Sequence, residues 1–240
     1  MSAIPNRVEC ARCGVRELCL PHGLSASEIE QLERAVGARR RVARGAELYH
    51  ARDAFTALYA VRLGSFKTRL GTQDGREQVT GFQMAGDLLG LDGIGASRYA
   101  SDAVALEDSE VCVLPFAELE ALSRQFDALQ SHLHRVMSRE IVRDQGLMLL
   151  LGNMRAEERL ATFLLSLSER FRARGFSSTA FVLRMSRQEI GSYLGMKLET
   201  VSRVFSRFRE QGMVEVNQRE IRLADESALK RLVEACAGTH

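Results

Sequence analysis

Proline is scarce in this chain, with 3 in 240 residues, and no run of uncharged apolar residues approaches the length of about 18 that a membrane-spanning helix needs. The composition, 45% hydrophobic and 27% charged, excludes collagen-like, low-complexity and wholly disordered chains. The first twenty residues carry 5 charged side chains where a signal peptide needs an apolar stretch. We therefore expect a globular protein of the cytoplasm, with no membrane partner and one or two domains.

Net charge is also small, because 33 basic side chains face 31 acidic ones. A formal charge of +2 does not by itself predict a nucleic-acid partner. The distribution of charge is more informative, since the segment Lys197–Arg209 carries four basic residues and a single acidic one. This segment is a local positive patch.

Cysteines are few and unevenly placed, with Cys10, Cys13 and Cys19 close together. In a reducing compartment, such thiols are more often metal ligands or redox centres than disulfides. Three local thiolates are one short of a closed metal site, and spacing alone does not choose between Cys112 and Cys236 as the fourth ligand. The spacing suits an iron–sulfur cluster better than zinc, which stays open as an alternative.

The middle of the chain predicts a small β domain. Glycines separate short apolar runs over residues 41–116, a pattern typical of an antiparallel roll or barrel. Before it, Ser25 and Glu28 form a capping box that predicts the start of a short helix. Helical patterns follow the β region, so the predicted fold class is α+β.

Beyond the roll, four apolar residues recur at a coiled-coil-like spacing: Met137, Ile141, Met148 and Leu151. They predict a long amphipathic helix that packs on its own core or on a second copy of the chain. Asp144 lies on the same stripe, so two carboxylates would approach each other in a parallel dimer. At roughly 4 Å and an effective dielectric near 20 their repulsion is about 4 kcal/mol. That penalty would make the dimer marginal, unless Asp144 points to solvent.

Two helices packed at a steep angle are predicted near the C-terminus. Ser186 and Glu189 form a second capping box, and Gly195 ends the helix that they begin. Gly191 leaves room at the crossing, while Val201 of the next helix packs inward. A strand-like pair follows this second helix, and together these elements predict a winged helix-turn-helix.

Three polar residues share one face near the start of the second helix: Glu199, Ser202 and Arg203. Arginine can donate two hydrogen bonds to guanine, glutamate can accept a hydrogen bond from cytosine, and serine can form hydrogen bonds with several bases. Arg207 and Arg209, farther along the helix, are expected to contact phosphates. An ordinary helix pair with a charged exterior would not need this trio, so we expect binding to double-stranded DNA.

These motifs resemble the FNR-type (fumarate and nitrate reduction) oxygen-responsive regulators of the cyclic-AMP-receptor superfamily. The resemblance covers nearly the whole chain and includes the interval of 93 positions between Cys19 and Cys112. Residues Gly81–Gly90, Ala156–Leu160 and Leu198–Arg203 are similar to its roll, the start of its DNA-binding domain and its recognition helix. The resemblance implies a [4Fe–4S] cluster on Cys10, Cys13, Cys19 and Cys112, with Cys236 an incidental thiol.

The resemblance also implies a domain order and a switch. A cysteine-rich segment (1–24) precedes a cyclic-nucleotide-binding-like β-roll (25–118), a dimerisation helix (119–154) and a winged helix-turn-helix (155–240). Without oxygen, the cluster-bearing homodimer would bind a palindrome resembling TTGAT-N4-ATCAA, and oxygen would return weakly binding monomers. Loop 71–78 resembles a surface that contacts RNA polymerase.

Some residues depart from the family pattern. Asp87 follows Gly86 where a nucleotide-binding roll typically has glutamate, and residues 99–101 lack its Arg-Ser pair, so no cyclic nucleotide is expected. Gly14 stands beside the second cysteine where some members have serine, whereas Leu18 matches a residue expected to shield the cluster.

An enzyme is not expected, because the histidines form no ligand spacing and neither a nucleophile elbow nor a phosphate loop is present. His132 and His134 are expected to be solvated side chains on a charged helix. Two alternatives remain open: a zinc- or thiol-based redox-responsive DNA-binding regulator and, from another class, an iron–sulfur redox protein.

Overall fold

The computed structural model describes residues 9–71 and 77–237, of which 235–237 are described by their backbone alone. Most of loop 71–78, the loop that resembles a polymerase-contacting surface, lies outside these residues. The chain divides into two compact units between Ile141 and Val142, inside a helix. Each unit has its own hydrophobic core.

The first unit begins with the cysteine loop, which contains a 3-10 turn at Arg16–Leu18, and continues into helix α1 (Ala26–Ala35). The predicted capping box of Ser25 and Glu28 is present, since Ser25 Oγ accepts from the Glu28 amide and the Glu28 carboxylate accepts from the Ser25 amide. This pairing satisfies amides that have no partner within the helix.

Eight strands form the roll: β1 (Ala38–Val42), β2 (Glu47–Tyr49), β3 (Ala57–Leu63), β4 (Ser65–Gly71), β5 (Glu77–Met84), β6 (Leu88–Leu89), β7 (Asp102–Ala105) and β8 (Ser109–Pro115). They make two four-stranded antiparallel sheets, ordered β1-β8-β3-β6 and β2-β7-β4-β5. The predicted antiparallel roll is therefore confirmed.

Two helices follow the roll, α2 (Phe116–Ser123) and α3 (Asp127–Asn153). The long helix begins at Asp127 and not at 119, because residues 124–126 form a turn. This turn lets both helices bury a leucine in one core, Leu119 from α2 and Leu129 from α3. Helix α3 then continues without interruption past Gly146.

The second unit contains the remaining elements: α4 (Ala156–Ala173), β9 (Ala180–Val182), α5 (Arg187–Leu194), α6 (Leu198–Glu210), β10 (Val214–Asn217), β11 (Glu220–Leu223) and α7 (Glu226–Ala237). The three strands form an antiparallel sheet in the order β10-β11-β9. The strand pair β10 and β11 was predicted, whereas β9 was not. The unit is a winged helix-turn-helix, and with the roll it confirms the α+β fold class.

The crossing of α5 and α6 has the geometry that the glycines predict. A Cβ on Gly191 would lie 2.5 Å from the backbone oxygen of Met196 and 3.4 Å from the Val201 side chain. Gly195 ends α5 with a φ of 63°, in the left-handed region that favours glycine. Any larger residue at Gly191 would push the two helices apart.

Candidate functional site

Four cysteines line one cavity in the first unit. Three come from the loop before α1, and Cys112 comes from β8, the strand between β1 and β3. Backbone hydrogen bonds fold the loop, with the Cys13 amide donating to Cys10 and the Cys19 amide donating to Arg16. Cys236 lies in α7 of the other unit.

Burial changes the chemistry of these free thiols. It raises the pKa of Cys10 to about 12, with a further contribution from Cys112, and it raises the pKa of Cys19. The pKa of Cys112 rises to about 11, through burial and then through Cys13. Cys10, Cys19 and Cys112 are therefore neutral near pH 7, and a metal that binds them must displace their protons.

The donor set fits a cluster better than a single ion. Within residues 9–71 and 77–237, no group of three histidine, cysteine, aspartate or glutamate side chains is arranged to hold one metal ion. Zinc needs four ligands about 2.3 Å from one centre. In a [4Fe–4S] cluster each thiolate binds a different iron, so the sulfur atoms lie farther apart around a shared space. Four thiols that line one cavity are compatible with that second arrangement.

Apolar contacts hold the cysteine loop on both sides of Cys19. Leu18 packs on Gly86 so closely that a Cβ there would lie 2.8 Å from the Leu18 Cβ, and Gly86 has a φ of +95°. On the other side, Leu20 is buried in the cluster that contains Leu32 of α1. The position of Cys19 is thus tied to both the roll and the first helix.

His132 is not solvated, and the expectation for this residue was wrong, although His134 is exposed. The His132 side chain is 2% exposed, and its ring lies 5.6 Å from that of His22, three residues after Cys19. Neither ring nitrogen of His132 has a hydrogen-bond partner. Its pKa is lowered to about 4, mainly by burial and then by the positive charges of Arg139 and Arg135.

This buried imidazole predicts a stability that depends on pH. The unfolded chain takes up a proton near pH 6.5, whereas the folded chain resists it until about pH 4, so stability falls as the pH drops through that window. We expect a loss of about 2 kcal/mol between pH 7 and pH 5 from this group. Denaturant unfolding of the cluster-free protein at both pH values measures it. The free energy of unfolding of the variant His132→Gln should fall less between pH 7 and pH 5 than that of the wild type. An equal fall in the wild type and the variant would contradict the prediction.

The apolar stripe predicted on α3 is exposed to solvent only at its centre. Ile141 is 58% exposed and Met148 is 65% exposed, and Asp144 between them is exposed as well. Met137 packs instead against the core of the first unit, and Leu151 lies near Gly195 within the second. The centre of the stripe therefore offers apolar surface around a carboxylate, whereas its two ends are partly covered by the chain itself.

Three tyrosines pack together in the interior of the roll. The rings of Tyr49 and Tyr99 stack at 3.9 Å, and Tyr59 lies 5.7 Å from Tyr49. The Tyr99 hydroxyl donates to the Ala57 carbonyl. All three side chains belong to the buried core of the roll.

Helix α6 presents the predicted DNA-binding face. Glu199, Ser202 and Arg203 are exposed, as are Arg207 and Arg209. Its opposite side is packed by four buried residues: Val201, Val204, Phe205 and Phe208. The buried side fixes the orientation of the helix, so the five polar side chains point away from the core.

Two charged contacts of α6 could not be predicted from the sequence. Arg207 forms an ion pair with Glu157 at the start of α4, fifty residues away. Arg187, the first residue of α5, places its guanidinium 3.4 Å from the centre of the Phe205 ring. Burial lowers the pKa of Arg187 to about 10, which leaves it charged at neutral pH. Both contacts join residues distant in sequence, so no local pattern signals them.

Comparison with known proteins agrees with both parts of the structure. Residues 39–126 match the cyclic nucleotide-binding domain family, and residues 158–232 match the Crp-like helix-turn-helix domain family. Within residues 9–71 and 77–237, none of the helices is both long and apolar enough to cross a membrane.

Several regulators are similar over almost the full chain. The transcriptional regulatory protein Btr of Bordetella pertussis is 50% identical, with 97% of each chain covered. The transcriptional activator Anr of Pseudomonas aeruginosa is 44% identical over 98% of this chain and 93% of its own. The fumarate and nitrate reduction regulatory protein of Escherichia coli is 42% identical over 94% and 90%.

A solved structure shows the same architecture. FixK2 from Bradyrhizobium japonicum superposes with a TM-score of 0.75 at 30% identity, covering 81% of this chain and 96% of that chain.

Proposed function

The chain belongs to the FNR-type transcriptional regulators of the Crp/Fnr family, and from this premise we propose that it senses oxygen through a [4Fe–4S] cluster. The proposed ligands are Cys10, Cys13, Cys19 and Cys112. The observation that carries the proposal is the single cavity that these four thiols line, although they come from a loop and a distant strand. When bound, the cluster supplies iron that dioxygen can oxidise.

The contacts of the cysteine loop support a route from the cluster to α3. Leu20 belongs to the same buried cluster as Leu129 and Leu133 of α3, and His22 packs against His132. A loop whose three cysteines share a cluster with Cys112 of β8 would be more ordered than one held by apolar contacts alone. We infer that binding or loss of the cluster changes how this loop packs on the first half of α3.

We propose that α3 forms a homodimer. Exposed apolar side chains such as Ile141 and Met148 favour burial against a second copy. Asp144 opposes it, because two like charges would approach each other at the interface. Although Asp144 is exposed, desolvation by its neighbours on the helix raises the pKa of its carboxyl group, and Arg143 opposes that rise. The balance between apolar burial and carboxylate repulsion leaves the dimer weak enough for the loop to control.

Removal of this carboxylate tests the switch. We expect Asp144→Ala to be a dimer and to bind DNA even in air, because the repulsion of about 4 kcal/mol is gone. Sedimentation in air measures the association, with the matched variant Asp127→Ala, a carboxylate at the start of α3, as control. An Asp144→Ala protein that stays monomeric in air would remove Asp144 from the proposal.

The DNA target proposed for the dimer is a palindrome resembling TTGAT-N4-ATCAA. Two copies of α6, related by a two-fold axis, would read its half-sites through Glu199, Ser202 and Arg203. RNA polymerase is the proposed further partner, and the cytoplasm the proposed location. We propose no cyclic nucleotide as ligand, because Tyr49 and Tyr99 occupy the interior of the roll.

One experiment separates this function from its alternatives. Protein purified without oxygen should absorb at about 400 nm, contain iron and bind the palindrome, and all three properties should fade together in air. Zinc in place of iron, or DNA binding that follows thiol oxidation without iron, would favour the zinc- or thiol-based regulator. Iron without DNA binding would favour an iron–sulfur redox protein.

A further inference from the structure

A charged group lies beside Cys112 on one face of the roll. Arg39 of β1 and Ala60 of β3 are the partners of Cys112 in the strand register. Glu110, two residues before Cys112 on β8, points to the same face. Its carboxylate lies 2.8 Å from Arg62 Nη1 and 3.8 Å from Arg39 Nε. Three arginines line the cysteine cavity, Arg16 of the loop and Arg39 and Arg62 of the roll, and we call the two on the roll the arginine rim.

The rim is partly shielded from water and electrically close to the thiols. Arg39 and Arg62 have side chains 23% and 30% exposed, and Glu110 only 14%. Arg39 faces Cys112 across the pairing of β1 with β8, and Arg62 is joined to Glu110, the neighbouring residue on the same face of β8. The charges of these three side chains therefore lie next to a proposed ligand.

The two positive charges of the arginine rim favour an anionic cofactor in the cavity. Four thiolates around a [4Fe–4S] core of charge 2+ leave a net charge of −2, and burial of such a charge is unfavourable unless cations lie nearby. We propose that Arg39 and Arg62 are the charge-compensating residues of the cluster site and slow its oxidation, with Glu110 limiting their effect. This inference rests on the proposed function.

The direction of the effect follows from charge. If dioxygen took one electron from a bound cluster, dioxygen would be reduced to superoxide and the charge of the site would rise by one unit. A nearby guanidinium disfavours that change, whereas a nearby carboxylate favours it. Removal of the two kinds of charge should therefore change the rate of oxidation in opposite directions.

Four variants of the full chain, loaded with cluster without oxygen, test the inference. In air-saturated buffer, Arg62→Gln should lose its absorption at about 400 nm roughly three- to tenfold faster than wild type, and Glu110→Gln should lose it more slowly. Arg62→Lys, which keeps the charge, should restore most of the wild-type lifetime. Arg41→Gln is the matched control, because Arg41 also faces Glu110 but is 92% exposed and does not line the cavity.

The reduction potential of the bound cluster supplies a second readout. A purely structural defect would not shift this potential in opposite directions according to the sign of the charge removed. The potential should fall in Arg62→Gln and rise in Glu110→Gln. Equal lifetimes and potentials in wild type and both variants, or shifts of both variants in one direction, would overturn the rim proposal while the cluster function stands. Wild-type protein that takes up no iron would overturn the proposed function and this inference with it.

Discussion

Serine in place of Cys10, Cys13, Cys19 or Cys112 is expected to abolish both bound iron and DNA binding without oxygen. Each thiolate would bind a separate iron, so no remaining ligand can replace the one that is lost. The hydroxyl of serine stays protonated at neutral pH and is a poor ligand for iron. Iron content, absorption at about 400 nm and affinity for the palindrome, all measured without oxygen, check the expectation.

The control for this series is Cys236→Ser, because Cys236 belongs to α7 in the second unit and should leave iron and DNA binding intact. Thermal unfolding of each cluster-free variant separates a lost ligand from a lost fold, since serine differs from cysteine by one atom. Iron that disappears only in Cys236→Ser would reverse the choice of the fourth ligand. Iron retained in all five variants would exclude a cysteine-bound cluster.

The fourth proposed ligand, Cys112, could not be predicted from local sequence patterns. The spacing of Cys10, Cys13 and Cys19 predicts a metal-binding loop, but a ligand 93 positions away has no local signature. Only the resemblance to a family indicated Cys112. The structure supplies the physical reason, because the antiparallel pairing of β8 with β1 and β3 brings Cys112 to the cysteine loop. The charged partners of the same face, Arg39 and Glu110, were equally invisible in the sequence.

Local rules predicted the second unit more completely than the first. Capping boxes and glycine conformation act over a few residues, so Ser186 and Gly195 marked the ends of α5 correctly. The division of α2 from α3 and the burial of His132 depend instead on packing against other elements. The charged residues around His132 predict a solvated side chain, and only the fold shows that the cysteine loop, through His22, covers it.

The largest effect expected on DNA recognition comes from Arg203. If its guanidinium forms two hydrogen bonds with a guanine, Arg203→Ala should weaken the free energy of DNA binding by about 1–3 kcal/mol per half-site. Both half-sites of a symmetric palindrome contribute to this loss. The same variant should lose little on a palindrome in which the G·C pair of each half-site is exchanged. Binding constants for the two DNAs, measured without oxygen at one salt concentration, give the comparison.

Arg209→Ala is the matched control, because Arg209 is exposed farther along α6 and is expected to meet a phosphate. Its loss should weaken both DNAs alike and reduce the salt dependence by about one unit per contact. Arg207 is a poorer control, since its charge is already paired with Glu157. Glu199→Ala completes the test: if it weakens both DNAs equally, as loss of a phosphate contact would, then this face of α6 does not read bases and the recognition surface lies elsewhere.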